Sequence, residues 1–371
     1  MVVPMRILAL DPWLGGSHAR LLSAWKTHSR HQIQVEGLPD RHWKWRQAAG
    51  ALTLAQRINE AKLEPPDALW VSDFVDLPQL RAFLPHAFDR VPAFLYFHEN
   101  QLTYPRSPEE AFAPDLGPAW SNLVSALAAD HVAFNSAYHR QTLRSAAESL
   151  LERLPKPKPS AAILDALDRA SVVYPGIDWH AIPLGPGSPS KGPLRVLFPH
   201  RWEHDKNPAE FLRWMIDAQR LGAEFELYLL GEFSSAPPPD CAEPLRLLAP
   251  RIRRQGPLED RAAYFAAIGS CDVVVSTALH ETYGMALLEA CAAGCTPLVP
   301  NRLAYPEVLG PACQPWAPYE TQSEAVRALV DAASDPGELR RAAQRAGVRQ
   351  AVASQNHGPT LQTMDALMER L

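Results

Sequence analysis

Two carboxylates eight positions apart, Glu281 and Glu289, bracket a short polar loop inside CDVVVSTALHETYGMALLEACAAGCTPLVP, residues 271–300. Between them Thr282, Tyr283 and Gly284 offer backbone N–H groups at the positive end of an expected helix, a setting that favours an anion. Donors for a diphosphate beside carboxylate acceptors for hydroxyls are what a nucleotide sugar requires. A capped surface helix with solvated glutamates would read the same way taken alone. Upstream, Arg201 and Lys206 flank the loop of HRWEHDKNP. Two fixed cations there suit the same diphosphate, the guanidinium in bidentate fashion. Ion pairs with Glu203 and Asp205 are the competing reading.

The N-terminal half offers a different chemistry. Gly15, Gly16 and Ser17 follow the first apolar run in a turn that can bring backbone close to a phosphate, although the pattern is not GxGxxG. The polar run His98, Glu99, Asn100 and Gln101 ends the apolar stretch PAFLYF, where doubly wound folds place active residues. Arg41, His42, Lys44 and Arg46 interleave with Trp43 and Trp45. Cations beside rings suit phosphates and stacked bases; tryptophans entering the core would give the same pattern.

Short apolar runs bounded by polar residues predict the strands that hold these groups: 5–10, 67–73, 92–97, 131–134, 171–174, 194–199, 225–230, 252–256, 273–276 and 296–300. Between them helices are expected, among them one at 18–25 capped by Ser17, one at 119–129, one entered near Pro208, one at 285–293 stopped by Gly294, one at 336–350 and an amphipathic one at 360–371. Residues 151–161 read as an exposed loop with two solvated lysines. Alternation of strand and helix in both halves implies an α/β protein with two doubly wound, Rossmann-like domains facing across a cleft. The boundaries fall at 1–181 for an acceptor-side domain, 182–193 for a Pro/Gly/Ser-rich linker and 194–356 for a nucleotide-sugar domain, with a last segment, 357–371, able to cross back to the first.

Composition bounds the rest. A chain of 371 residues with 47% hydrophobic and 21% charged residues is globular and longer than one ordinary domain. The net charge of −5 gives no overall attraction for polyanions, so an RNA contact needs a local patch. The five cysteines complete no zinc pattern and read as small core residues in a reducing cytoplasm. With no Asp-x-Asp at a strand end, no metal is expected, and protein cations should neutralise a leaving diphosphate. The N-terminus runs straight into a strand, so no secretory signal is expected, and no uncharged stretch has the length and apolar content of a span, so no membrane crossing is expected.

Arg201, Lys206 and the Glu281-x7-Glu289 pair resemble the donor site of retaining glycosyltransferases of the GT-B fold, the family-four type. A narrower likeness spans most of the chain. GGSH at 15–18, HWKWR at 42–46, YFHENQLTYP at 96–105, FNS at 134–136, PHRWEHDKNP at 199–208 and HETYG at 280–284 resemble the tRNA-queuosine mannosyltransferase family. Better-known members are animal proteins with a long insertion between the domains, where this chain has a short linker. The resemblance implies transfer of mannose from GDP-mannose to the cyclopentenediol of queuosine in a tRNA anticodon, with retention. It also implies that GDP is released, and that neither a resident cofactor nor an obligate protein partner is needed. On that likeness Arg201 and Lys206 hold the diphosphate, Glu289 accepts from ribose hydroxyls, and Glu281 from sugar hydroxyls. Thr282, Tyr283 and Gly284 lend N–H groups, Gly15, Gly16 and Ser17 approach the phosphates, and the guanine lies near Gly256 and Leu258. His98 lines the sugar and acceptor side, with Glu99, Asn100, Gln101 and the Trp-basic stretch facing tRNA. Retention of this kind has no assigned protein nucleophile, and the leaving phosphate is the usual proposal for assisting attack. The alternative reading is the same fold acting on a small or lipid-linked acceptor.

Overall fold

The computed structural model describes residues 3–105, 116–187, 192–232, 237–258, 260–310 and 318–371. Cys313 and parts of the Pro-rich stretches at 182–193 and 234–239 lie outside them.

The chain divides into two compact units. The first runs β1 (Arg6–Asp11), α1 (Gly16–His28), β2 (Gln32–Gly37), α2 (Trp43–Ala61), β3 (Ala68–Ser72), α3 (Leu77–Phe83), β4 (Ala93–Phe97), α4 (Gly117–Ala128), β5 (His131–Phe134), α5 (Ala137–Arg153), α6 (Ser160–Asp168) and β6 (Ser171–Val172). The second, Ile177–Asn356, runs β7 (Leu194–Phe198), α7 (Pro208–Arg220), β8 (Phe225–Leu229), α8 (Ala242–Leu248), β9 (Ile252–Gln255), α9 (Arg261–Gly269), β10 (Val273–Val275), α10 (Met285–Ala292), β11 (Thr296–Pro300), α11 (Tyr305–Leu309), β12 (Pro318–Tyr319), α12 (Gln322–Ser334), α13 (Gly337–Arg340) and α14 (Ala342–Ala351). The last helix, α15 (His357–Met368), belongs to the first unit.

Among the described residues each unit carries a six-stranded parallel sheet, ordered β2-β1-β3-β4-β5-β6 in the first and β12-β11-β10-β7-β8-β9 in the second. The central strands β3, β4 and β11 are buried at every residue, because helices cover both faces of a parallel sheet. The edge strands β2 and β9 keep polar residues in water, which blunts pairing with another chain. In the first unit α1 and α15 pack on one face around Trp25, Trp70, Leu361 and Met364. Residues of α2 to α6, including Leu54, Leu80, Leu123 and Ile163, fill the other.

Strand order fixes where each sheet can bind. From β1 the chain steps outward to β2, then returns past β1 to β3; from β7 it goes outward to β8 and β9, then returns to β10. The crevices at these reversals, between β1 and β3 and between β7 and β10, open at the C-terminal ends of the strands, where doubly wound folds bind ligands.

Three local expectations change. The helix at 18–25 begins at Gly16 with Gly15 as its cap, and no side chain caps it. Gly16 has φ +51° and Gly15 lies so close to Asp40 that a Cβ would meet Oδ2 at 1.8 Å, so glycine at both positions, not Ser17, shapes the turn. Residues 151–161 are not one loop: α5 reaches Arg153 and α6 starts at Ser160. Lys158 turns its ammonium onto the carbonyls of Leu151 and Leu154, the unpaired end of α5. The helix expected at 336–350 is broken at Arg341, whose extended backbone ends α13 and opens α14.

Candidate active site

In the second unit β7 ends at Phe198 and delivers His200 and Arg201 to the reversal between β7 and β10. A short 3-10 turn, His204–Lys206, then enters α7 at Pro208. On the other side of the reversal β10 releases the loop that carries Thr277 to Gly284 before α10. The two loops are stitched together. The N–H groups of Leu279 and His280 donate to the Asp205 carbonyl at 2.7 and 3.2 Å. The Thr277 hydroxyl donates to the carbonyls of Lys206 and Asn207 at 3.0 and 2.9 Å.

Lys206 is buried at the centre. Its Nζ donates to Glu281 Oε2 at 3.2 Å and to the His280 carbonyl at 3.0 Å, and pairs with the Asp205 carboxylate at 3.0 Å. Burial opposes ionisation of Glu281 and Asp205, yet the neighbouring Lys206 cation outweighs it and holds both below the ordinary carboxylate range. Burial, helped by the same cation, pushes His200 and His280 down to about 4, so both imidazoles are neutral at neutral pH. Arg201 stands apart: it is half-exposed, with a 3.3 Å contact to Glu203. A diphosphate would therefore meet a solvent-facing guanidinium first, and a lysine already committed to carboxylates.

Gly284, at φ +87°, turns the chain into α10. The Tyr283 N–H donates back to Glu281 Oε1 at 3.3 Å, so the loop spends that donor on its own carboxylate. The Tyr283 hydroxyl donates to Gln355 at 2.9 Å. Glu289 sits one turn into α10, buried, its Oε1 accepting from Arg261 Nη2 at 2.6 Å. Arg261 opens α9 and stacks over Phe265. Gly256 follows β9 with φ +94° and open space where a Cβ would be; Leu258 lies two residues on.

The first unit holds a second buried cluster at its own reversal. Asp11 ends β1, Asp73 follows β3, and His98 follows β4. His18 of α1 reaches Asp11 Oδ2 through Nδ1 at 2.8 Å and stacks on His98, ring centroids 3.7 Å apart and planes 20° off parallel. The His98 N–H donates to Asp73 Oδ1 at 2.9 Å. Asp11, His18 and His98 place ligand atoms within 4.8 Å of one another, but the set does not fit a metal ion. Coordination needs each imidazole lone pair aimed in its ring plane at an ion ~2.0–2.1 Å away, and two nearly parallel stacked rings cannot both do so. Burial dominates at His98, which it pushes well below the ordinary histidine range with help from His18. Burial also raises Asp73 to about 7.

The remaining expected residues divide. Asn100 folds its own turn, Oδ1 accepting from the N–H groups of Leu102 and Thr103 at 3.1 and 2.8 Å. The Gln101 N–H donates to Asn122, and Glu99 lies among the charges around His18 and Asp73. Arg41 and Lys44 are exposed at the start of α2, and Trp45 is 63% exposed rather than in the core. Arg46 donates to the Pro39 carbonyl, and Lys44 sits over the Trp43 ring. Reading single segments missed Asp11, His18, Asp73, His200, Asp205 and Arg261 as site groups. The available signal was an acid or histidine closing an apolar run: Asp11 after RILAL, Asp73 after ALWVS, His200 after LRVLFP.

Comparison with known proteins matches this division. Residues 6–177 match the family model described as tRNA-queuosine alpha-mannosyltransferase N-terminal, and residues 186–350 match glycosyl transferases group 1. Over 316 residues the chain is 30% identical to the tRNA-queuosine alpha-mannosyltransferase of Drosophila melanogaster, covering 81% of each chain. Among solved structures, sucrose-phosphate synthase from Thermosynechococcus elongatus superposes with a TM-score of 0.69 at 15% identity over 98% of both chains. The HepE protein of Anabaena, solved with UDP and glucose, gives 0.67 at 16% identity over 99% of this chain and 100% of that one. These likenesses give the fold, GT-B, and with it the doubly wound architecture of both units. The chain is a glycosyltransferase and belongs to the tRNA-queuosine alpha-mannosyltransferase family.

Proposed function

We propose that the protein transfers mannose from GDP-mannose to the cyclopentenediol of queuosine in tRNA, with retention at the anomeric carbon. The observation that carries this reading is the match of the first unit, over residues 6–177, to the tRNA-queuosine N-terminal module, joined to a group 1 donor half. In the donor half Arg201 meets the diphosphate, and Lys206 supplies charge from behind the Glu281 carboxylate. Glu281 accepts from the sugar hydroxyls, Glu289 from the ribose, with Arg261 holding its carboxylate in place. The guanine lies along Gly256 and Leu258. In this reading the protein's own cations neutralise the departing diphosphate, and Gly15, Gly16 and Ser17 approach the phosphates by backbone. Trp43 and Trp45 with Arg41, Lys44 and Arg46 contact tRNA, as Glu99 and Gln101 do near the acceptor. A tRNA acceptor and four buried cysteines that form no disulfide fit a cytoplasmic enzyme; no described helix is long and apolar enough to cross a membrane.

The test is to incubate the enzyme with queuosine-containing tRNA and each common nucleotide sugar, then digest the tRNA to nucleosides for mass spectrometry. A queuosine heavier by one hexose with GDP-mannose is expected. Gain only with another donor overturns the donor assignment. Unmodified tRNA with every donor, beside sugar transfer to a membrane extract, overturns the acceptor.

A further inference from the structure

The cluster at the β1/β3 reversal holds a histidine, His18, to which the proposed function gives no part. Resting on that reading, we propose that His18, oriented by Asp11, is a catalytic residue that takes the proton of the acceptor hydroxyl as it attacks the anomeric carbon.

Four observations carry this. The first is position. His18 lies in the half matched to the tRNA-queuosine module, beside the strand-order reversal where a doubly wound sheet binds its ligand.

The second is orientation. Asp11 Oδ1 accepts from the Trp13 N–H and the Ser72 hydroxyl, both at 2.9 Å, which leaves Oδ2 to His18 Nδ1 at 2.8 Å. With Asp11 accepting throughout, the hydrogen stays on Nδ1 and the lone pair of neutral His18 stands on Nε2. The same arrangement makes a histidine the base in acyl-transfer enzymes. No described residue hydrogen-bonds Nε2.

The third is rigidity. His18 is 5% exposed, its ring stacked on His98 at 3.7 Å and set edge-on to Phe74 at 5.9 Å, contacts that restrain its orientation. A Cβ at Gly16, two residues before, would meet nothing within 4 Å, so the turn beside His18 leaves room for a ligand.

The fourth is the field. Burial alone would lower the basicity of His18, but the charge and hydrogen bond of Asp11, with Asp73 and Glu99, raise it above the ordinary histidine value. His98, packed against it, is held neutral by burial and by His18 itself, so of the two stacked rings it is His18 that is able to take up a proton. Among the described residues these groups, from β1, from the loop after β3 and from the loop after β4, are the charged neighbours of the ring.

The step balances. The acceptor O–H bond breaks and its proton moves to Nε2 while the oxygen bonds to the anomeric carbon. The bond from that carbon to the donor phosphate oxygen breaks, and its electron pair leaves with the diphosphate. The imidazolium, paired with Asp11, returns its proton to water after the product departs.

The experiment uses the full chain with queuosine-containing tRNA and GDP-mannose, or whichever donor the wild type is first shown to use; that first reading tests the donor assignment separately. His18→Gln is expected to lower kcat about 10²–10⁴-fold with little change in KM for tRNA. It should also abolish the fall in kcat/KM that the wild type shows as acid protonates the base. That acid limb should persist in Asp73→Asn, which separates His18 from the neighbouring carboxyl. Asp11→Asn should lower kcat as well, by disturbing the tautomer. A wild-type solvent deuterium isotope effect above unity on single-turnover transfer is expected and needs no variant to fold. An isotope effect of unity, an acid limb surviving in His18→Gln, or a loss confined to KM would overturn the proposal and leave the proton to the leaving phosphate or to water.

Discussion

Arg201 and Lys206 look equivalent in the sequence, two cations in one loop, but the fold treats them differently. Arg201 reaches solvent and contacts Glu203 at the surface. Arg201→Ala should therefore lower kcat about 10²–10³-fold, as loss of one charge-stabilising donor does, while stability in thermal melting stays within about 0.5 kcal/mol of wild type. Lys206 neutralises two buried carboxylates. Lys206→Ala leaves Asp205 and Glu281 buried together and should destabilise the second unit by roughly 3–5 kcal/mol, visible as an early transition in the same melting experiment; unchanged melting would contradict the central place given to Lys206. The Glu281 loop was legible because polar residues crowd after the run VVVS, an arrangement that local pattern exposes. The Asp11–His18–His98–Asp73 cluster was not, since only strand order brings Asp73 and His98, each from a separate segment, beside the β1–α1 turn that carries Asp11 and His18.

At the scale of elements, strand ends and helix termini set the chemistry, and most strands were readable from their apolar runs. The edge strand β2 was overlooked because its polar residues hide the alternation. α3 and α6 were overlooked because seven and nine residues carry little periodicity. Arg345 could not be anticipated at all. It is 2% exposed and donates to the carbonyls of Cys271, Gly269 and Ala293, tying together the ends of α9 and α10. The acid after β3 gives a pH prediction. Asp73 is raised by burial from 3.8 to about 7, so between those values the folded state binds more protons than the unfolded one and stability falls as pH rises. Asp73→Asn should raise the melting temperature at pH 8 and change it little at pH 4; equal effects at both would show that the carboxyl is not strained by ionisation. A second prediction concerns α15. Asp365, 2% exposed, accepts from Trp25 Nε1 and the Ser29 hydroxyl, both at 2.6 Å, and from the Arg30 N–H at 3.1 Å. Asp365→Ala leaves the buried indole N–H without its acceptor and should cost about 1–3 kcal/mol of the first unit's stability in denaturant unfolding, with donor binding by the second unit retained.

For the whole molecule, a net charge of −5 must be reconciled with a polyanionic acceptor. In the proposed function the start of α2 is the local means, with Trp45 exposed between Lys44 and Arg46 and Arg41 nearby. Trp45→Ala should weaken tRNA binding by about 1–3 kcal/mol if the ring stacks on a base. Arg41→Ala with Lys44→Ala should flatten the log–log salt dependence of binding by about 1–2; an unchanged slope in a filter-binding titration would place the tRNA contact elsewhere.

The return of α15 to the first unit also governs how the protein is made. Leu361, Met364 and Met368 complete the apolar layer begun by Ile7, Ala9 and Trp25, so that layer stays open until the whole second unit has left the ribosome. At about 5–20 residues per second the wait is on the order of ten to forty seconds, during which bare aromatic surface invites aggregation. A nascent chain halted before His357 is thus the species for which a chaperone would be most needed.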